Sequence, residues 1–82
     1  MGSEQNKLLL TLMGAKLAKV RKSQNISYRR LAQMCKVDHS QISKLEKGEV
    51  FVQLDTLFDI TNALGIHPKE LFDFEFEMRK IA

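Results

Sequence analysis

The 82-residue chain has few of the residues on which several classes of protein depend. Its single cysteine, Cys35, excludes an internal disulfide and a cysteine-based metal cluster, and fits a reducing compartment such as the cytoplasm. Its two histidines, His39 and His67, are too few for a metal site without other ligands at metal spacing. No nucleophile–base pair, glycine-rich phosphate loop or paired carboxylate set is present. We therefore expect no enzyme, cofactor, metal or small-molecule ligand.

Long apolar runs and flexible linkers are missing as well. The apolar run at residues 8–13 is far too short to span a membrane, and four Lys and Arg residues follow it between positions 16 and 22. No repeat, low-complexity segment or Pro/Gly-rich linker divides the chain, which has one proline and four glycines. The sequence therefore predicts one small domain over residues 1–82 and no membrane association.

Positive charge is concentrated in the middle of the chain. Residues 16–47 hold nine Lys and Arg against two Asp and Glu, a net charge of +7, whereas residues 48–82 hold three against seven, a net of −4. This division indicates one face turned to a polyanion, with two ordinary solvated faces as the alternative.

The apolar spacing is helical through most of the sequence. Residues from Leu9 to Val20 repeat at steps of three and four, which predicts a first helix from near Glu4 to Gln24, closed by Asn25. Further stops are expected at Lys36, Gly48 and Gly65. The other predicted helices are Tyr28–Cys35 after an N-cap at Ser27, His39–Lys47 after an N-cap at Asp38, Leu54–Leu64, and Pro68–Phe72. The inner stripe predicted for the fourth helix is Leu54, Leu57, Phe58, Thr61 and Leu64.

The C-terminal segment has a different period. Apolar and acidic residues alternate from Phe72 to Met78, which favours a short strand, with a frayed helical extension as the alternative. Three phenylalanines, Phe72, Phe74 and Phe76, then either fold back onto the domain or form a dimer contact. We favour the dimer contact.

Two short helices joined by a tight turn form a helix-turn-helix pattern at residues 28–47. Ala32 is small enough for the two helices to cross closely, and Val37 fills the turn. Ile42 and Leu45 seat the second helix on the core. The side chains left on the outer face, where they can reach the major groove of DNA, are His39, Ser40, Ser43 and Lys44.

Residues 14–72 resemble the phage-repressor (Cro/C1-type, or XRE) helix-turn-helix domain. The matching stretches are GAKLAKVRKSQNISYRRLAQMCKVDHSQISKLEKGE and LDTLFDITNALGIHPKELF. The resemblance implies an all-α, lambda-repressor-like fold, a compact five-helix bundle, leaving residues 73–82 as an extension. It also implies a homodimer on a two-fold DNA site.

The resemblance further implies roles for individual residues. The positions that contact bases match His39, Ser40 and Lys44, and those that hold phosphates match Ser27, Tyr28, Gln41 and Lys47. A partly buried salt bridge is implied between Arg21 and Glu46, the alternative being two exposed charges. Separately, Arg29 and Arg30 lie at the start of a helix, where positive charge is unfavourable unless it binds phosphate; Arg29 is our candidate for that contact.

Three positions depart from the family pattern. Tyr28 stands where Gln is most frequent, and that Gln braces the recognition helix while contacting a phosphate. The Tyr28 hydroxyl can donate one hydrogen bond but cannot make the same paired bridge. Lys36 stands where Gly is common, at a cost on the order of 1 kcal/mol if the backbone has positive φ. Phe51 and Val52 occupy a loop that usually carries polar residues and Pro, so they either pack under the loop or extend a dimer surface.

The sequence therefore predicts a sequence-specific DNA-binding transcriptional regulator, with the third helix of a homodimer in the major groove. The alternative is a protein-interaction module or antitoxin-type partner that uses the same bundle.

Overall fold

The structure is a computed structural model and describes residues 4–77. It has four α-helices followed by a short 3-10 helix: α1 (Glu4–Ser23), α2 (Tyr28–Cys35), α3 (His39–Glu46), α4 (Leu54–Leu64) and the 3-10 helix Pro68–Phe72. The described residues contain no strand. None of their helices is long and apolar enough to cross a membrane.

The all-α helix-turn-helix fold is as predicted, and the expected ends of α1 and α3 differ from the observed ones by one residue. The fifth element is a correction, because it is a 3-10 helix rather than an α-helix. Pro68 occupies its first turn, and by Asp73 the backbone has left the helical region, with φ −84° and ψ 77°. The element is only five residues long, and 3-10 helices occur mostly as such short segments.

The chain reverses direction at the four predicted stops. Asn25, Lys36, Gly48 and Gly65 have φ values of 58°, 57°, 72° and 67°, and they are all the residues with positive φ that the structure describes. Gly has no Cβ to clash in this conformation, and Asn tolerates it better than most residues. Short helices can therefore follow one another without long loops.

One core joins all five elements. α2 packs against both α3 and α4, while α1 packs against α3 and the 3-10 helix. The buried apolar side chains are Met13, Leu17, Leu31, Ala32, Ile42, Leu45, Leu57, Ile60, Leu64 and Leu71. At the C-terminal ends of α1 and α4, the Gln24 side chain donates a hydrogen bond of 2.8 Å to the Leu64 carbonyl.

The inner stripe of α4 differs from the predicted one. Ile60 is fully buried beside Leu57, Thr61 and Leu64, whereas Leu54 is 67% exposed and Phe58 is 46% exposed. Leu54 lies in the first turn, beyond the part of the helix that reaches the core, and Phe58 points about 100° away from Leu57 around the helix. Two large apolar side chains are thus left on the outside of α4.

The segment after the 3-10 helix forms neither the expected strand nor a helical extension within residues 73–77. Phe74 is half-buried and packs against the core. Phe76 is half-buried in a groove that it shares with Leu8 and Leu12 of α1. These two side chains therefore fold back onto the domain, while Phe72 stays 52% exposed. The rest of the alternating pattern, from Met78, lies outside the described residues.

Candidate nucleic-acid interface

The turn between α2 and α3 is fixed by local hydrogen bonds at each helix start. The Ser27 hydroxyl accepts a hydrogen bond of 3.0 Å from the Arg30 backbone N–H, and the Asp38 carboxylate accepts one of 3.1 Å from that of Ser40. Both residues are therefore the N-caps that the sequence predicts. Between them Lys36 has φ 57° and ψ 37° and closes α2 in the left-handed conformation. The two N-caps and the left-handed residue between them together define the turn from α2 to α3.

The inner face of α3 is seated by backbone contact as well as by side chains. Ile42 and Leu45 are 0% and 1% exposed. On the opposing helix, a Cβ atom added to Gly14 would lie 2.1 Å from the Leu45 carbonyl oxygen and 2.8 Å from that of Glu46. Only a residue without a side chain allows α1 and α3 to approach so closely. The sequence alone does not predict this role of Gly14, because apolar periodicity does not reveal a close backbone approach.

The Arg21–Glu46 ion pair joins the same two helices. The Arg21 Nε and Nη2 atoms donate to the two carboxylate oxygens of Glu46 at 2.5 Å and 2.9 Å. The Arg21 Nη1 atom donates to the Ile26 carbonyl at 2.6 Å, so the guanidinium also holds the loop before α2. The hydrogen bond to Glu46 raises the pKa of Arg21, and the nearby negative charge adds to the effect. A bidentate salt bridge of this kind fixes the orientation of α3 on α1.

The outer face of α3 is polar and open. His39, Ser40 and Lys44 are exposed, and Lys47, directly after the helix, is exposed too. Ser43 is half-buried. Side chains on the first turns of an exposed helix can enter the major groove, so the structure leaves these positions accessible to bases.

The start of α2 lies beside the start of α3. The rings of Tyr28 and His39 have centroids 6.1 Å apart and are tilted by 49°. The Arg29 guanidinium carbon lies 5.9 Å from the Tyr28 ring centroid. Arg30 instead directs its guanidinium to the Gln33 side chain, at 3.4 Å. Of the two arginines, Arg29 is therefore the one that lies beside the Tyr28–His39 pair.

Gln41 stands apart from the other candidate DNA-contacting residues. It is half-buried and lines a polar groove between the α2–α3 turn and α4, together with Lys36, Asp38, Thr56 and Asp59. Asp38, at the rim of this groove, has a lowered pKa, chiefly because its carboxylate accepts the Ser40 hydrogen bond, with smaller contributions from the charges of His39 and Lys44. The candidate surface therefore includes one carboxylate close to its cations.

Cys35 and His67 carry side chains that could be reactive or bind a metal ion, but both make hydrogen bonds that stabilise the fold. Cys35 is half-buried, and its thiol donates to the Leu31 carbonyl at 3.1 Å. Burial raises the pKa of the Cys35 thiol, which disfavours the reactive thiolate. The His67 Nδ1 atom accepts a hydrogen bond of 3.1 Å from the Lys69 backbone N–H and caps the 3-10 helix. Among residues 4–77, no group of three or more His, Cys, Asp and Glu could hold a metal ion.

Comparison with known proteins identifies the arrangement. A family model described as helix-turn-helix matches residues 17–71, which is more than half of the chain and includes α2, the turn and α3. The chain belongs to the helix-turn-helix family of the Cro/C1 type. It is a DNA-binding transcriptional regulator of that family.

The helix-turn-helix regulators that it resembles include two controllers. It is 41% identical over 64 residues to the control protein C.BamHI of Bacillus amyloliquefaciens, covering 77% of this chain and 79% of the relative. The structure superposes with a TM-score of 0.76 on the restriction-modification controller protein C.AhdI from Aeromonas hydrophila. That pair is 32% identical, covering 77% of this chain and 96% of the other. The clp gene regulator ClgR from C. glutamicum is 28% identical with a TM-score of 0.74, covering 78% and 83%.

Proposed function

We propose that this helix-turn-helix regulator works as a homodimer that places two copies of α3 in successive major grooves of a two-fold operator, about one helical turn apart. The observation that carries the proposal is the position of α3. Its inner face is locked to α1 at Gly14 and Arg21, while His39, Ser40 and Lys44 remain exposed on its outer face. A rigid helix with free polar side chains suits the reading of base edges.

The residue roles follow from these positions. Candidate base contacts are made by His39, Ser40, Ser43 and Lys44. Candidate phosphate contacts are made by Ser27, Tyr28, Arg29, Gln41 and Lys47. The Ser27 hydroxyl oxygen already accepts the N-cap hydrogen bond, which leaves its proton free to be donated to a phosphate oxygen. The N-terminus of α2 adds backbone N–H groups that favour an anion.

The dimer contact that we propose is the apolar face, which we define as Phe51, Leu54, Phe58 and Phe72. These side chains are 60%, 67%, 46% and 52% exposed. Leu54 and Phe58 are four residues apart on α4 and lie on one side of that helix, while Phe51, Leu54 and Phe72 line one apolar groove. A contiguous group of exposed aromatic and aliphatic side chains is typical of a protein–protein contact. Phe72 therefore keeps its expected role and Phe74 lines the same groove, whereas Phe76 lies in a separate groove with Leu8 and Leu12.

The biological setting that we propose is the control of a restriction-modification system. Both controllers described above, C.BamHI and C.AhdI, align with more than three quarters of this chain. A small regulator of this type would respond to its own concentration, and it would act by binding rather than catalysis, in the cytoplasm where the DNA is held. The protein-interaction or antitoxin-type alternative would use the same apolar face, but it gives no reason for the cations around α3.

A fluorescence-anisotropy titration tests the DNA-binding proposal. The probes are duplex DNA from upstream of the gene itself and a scrambled duplex, each at two salt concentrations. We expect tight binding to the upstream duplex, falling steeply with salt because phosphate contacts release counterions. The double variant His39→Ala/Lys44→Ala should lose the preference for that duplex. The control Lys7→Ala/Lys19→Ala removes two exposed side chains from α1 and should keep it.

Other outcomes separate the parts of the proposal. Weak, salt-sensitive binding to both duplexes would place the operator elsewhere. An absence of binding to either duplex at low salt would contradict a DNA-reading role and favour the protein-interaction module.

A further inference from the structure

A second groove lies between the start of α1 and the segment after the 3-10 helix, separate from the groove of the apolar face. Three apolar side chains line it: Leu8, Leu12 and Phe76. Three exposed carboxylate side chains line it as well: Glu4, Glu75 and Glu77. Gln5 is the remaining lining residue, so that among residues 4–77 no Lys, Arg or His lines this acidic groove.

The acidic groove lies outside the part of the chain that defines the family. All of its lining residues come before residue 17 or after residue 71, whereas the family model matches residues 17–71. None of them belongs to α2 or α3. α1 meets α3 at Gly14, beside the Leu45 carbonyl and away from His39 at the other end of α3. The acidic groove therefore uses no residue that we assign to DNA contact or to the apolar face.

The chemistry of the acidic groove limits what can occupy it. Leu8 is 50% exposed although Leu12 and Phe76 line the same groove, so a ligand that covers these side chains would remove apolar surface from water. The exposed carboxylates repel phosphate groups, which makes nucleic acid and an anionic lipid surface unsuitable ligands. A ligand with an apolar side chain between cations complements both the apolar and the acidic part of the lining.

We propose that the acidic groove is a docking surface for a basic, amphipathic segment of another protein. An apolar side chain of that segment enters the groove, and flanking Lys or Arg side chains pair with its carboxylates. The lining part of α1, from Glu4 to Leu12, extends over about 12 Å at 1.5 Å per residue, which matches about two helical turns of a ligand. Docking does not depend on DNA, but with α3 on an operator it would bring the bound protein to that site.

A peptide selection tests the chemistry of the partner. The probe is a library of random 12-residue peptides displayed on phage and selected on the full chain in the absence of DNA. We expect the selected peptides to share an apolar residue flanked by Lys or Arg. A selection that enriches no peptide, or enriches acidic or uncharged ones, would overturn the proposal.

Synthetic copies of the selected peptides locate the binding site in fluorescence-anisotropy titrations. Glu75→Lys/Glu77→Lys should weaken binding by roughly tenfold, because two attractions become repulsions. The control Glu49→Lys/Asp59→Lys changes the net charge by the same amount at exposed residues outside the groove, and it should bind like the wild type. An equal loss in both variants would indicate a general attraction to negative charge and would contradict a site in the groove.

The apolar part of the lining is tested separately. Leu8→Glu should weaken peptide binding to a similar extent, whereas Phe58→Glu, on the apolar face, should leave it unchanged. A loss in Phe58→Glu alone would place the peptides on the apolar face and refute docking in the acidic groove. Binding that appears only after residues 78–82 are removed would show that the chain's own end competes for the groove, and it would refute docking as well. Circular dichroism and thermal melting establish that each variant is folded.

The outcome is distinguishable from that of the proposed function. Peptide binding that persists in His39→Ala/Lys44→Ala would support the docking surface, whether or not the wild type prefers the upstream duplex. A wild-type protein that reads its operator but selects no basic peptide would refute docking alone.

Discussion

At the scale of single residues, the bridge between Arg21 and Glu46 spans 25 positions of sequence and ties two helices together. Arg21 is 7% exposed, so its charge has given up most of its contact with water. Three of its hydrogen bonds replace that contact: two to Glu46 and one to the Ile26 carbonyl. Removing the carboxylate would leave a largely buried cation with one partner, which is far less favourable than losing an exposed pair.

We therefore expect Glu46→Ala to lower the free energy of unfolding by about 2–4 kcal/mol. In a domain of this size the loss corresponds to a fall in melting temperature of at least about 8 °C. The control is Glu49→Ala, which removes an exposed carboxylate from the loop after α3. A melting curve for Glu46→Ala that matches the wild type would contradict a structural role for the bridge.

Lys36 offers a gain in stability at another single position. Its φ of 57° places a side chain in the left-handed region, which costs about 1–2 kcal/mol relative to Gly, partly offset by the greater chain entropy of unfolded Gly. Lys36→Gly should raise the free energy of unfolding by about 0.5–1 kcal/mol in thermal or urea denaturation. Lys47→Gly, at a position with φ −92°, should lower it. A loss of stability in both variants would show that the Lys36 side chain has a packing role.

At the scale of elements, local signals in the sequence predict most of the fold. The N-caps Ser27 and Asp38 predict where α2 and α3 begin, because a side-chain oxygen at that place satisfies a free backbone N–H. Asn25 and Lys36 indicate where α1 and α2 end. Those signals are contained in a few neighbouring residues, so they are readable without a tertiary structure.

What could not be predicted depends on partners distant in sequence. Phe58 was expected inside because its spacing fits a helical stripe, but Ile60 takes the buried position. The choice between them depends on where α2 and the 3-10 helix lie. The Tyr28–His39 contact likewise exists only once α2 and α3 cross. The base-reading and phosphate-binding assignments stay predictions, because they depend on DNA.

The close approach of α1 to α3 at Gly14 can be tested by replacing this glycine with alanine. Replacing an exposed helical Gly by Ala normally stabilises a helix by up to about 1 kcal/mol. At Gly14 we expect the opposite sign, a loss of about 1–3 kcal/mol or more, because the added methyl group meets the backbone of α3 and backbone cannot move aside cheaply.

Thermal unfolding of Gly14→Ala measures the change. Gly65→Ala is the matched control, since its added methyl group would meet nothing within 4 Å and it tests the cost of positive φ alone. A more stable Gly14→Ala protein would mean that α1 and α3 stand further apart than described.

The N-cap of α3 makes stability depend on pH. The Ser40 backbone N–H holds the pKa of Asp38 below its usual value, so the ionised form is favoured in the folded state. Its contribution to stability is complete above about pH 3.9, the value for an unfolded chain, and is lost as the pH falls through the lower folded pKa. The advantage of wild type over Asp38→Asn in melting temperature should therefore hold above about pH 4 and shrink as the pH falls below it, roughly the range that linkage gives. A constant difference over that range would contradict the assignment.

At the scale of the whole molecule, the candidate DNA-binding surface and the apolar face lie on different elements. Exposed cations lie on α2, on α3 and directly after each of them, whereas the apolar face lies on α4, the loop before it and the 3-10 helix. The proposed dimer contact can therefore be altered separately from the DNA-binding surface. Substitutions on one surface should leave the isolated protomer folded and the other surface intact.

Phe58→Glu tests the second surface. A carboxylate on the apolar face would have to be desolvated in a dimer, so we expect a monomer in analytical ultracentrifugation at concentrations where the wild type is dimeric. Binding to a two-fold operator should weaken in parallel, with the melting temperature of the monomer nearly unchanged. Leu8→Glu introduces the same charge at a residue that is 50% exposed outside the apolar face, and it should leave the dimer intact. A dimer that persists in Phe58→Glu would place the contact elsewhere.

The position of α2 has a consequence for the evolution of the operator. This eight-residue helix packs against α3 on one side and α4 on the other, so it separates the reading surface from the proposed dimer contact. In the proposed dimer, the packing of α2 at Leu31 and Ala32 would contribute to the distance between the two copies of α3. Substitutions on the outside of α3 can change which bases are preferred, whereas substitutions inside α2 would change how many base pairs separate the half-sites. A lineage could thus acquire a new recognition sequence quickly while its spacing stayed the same.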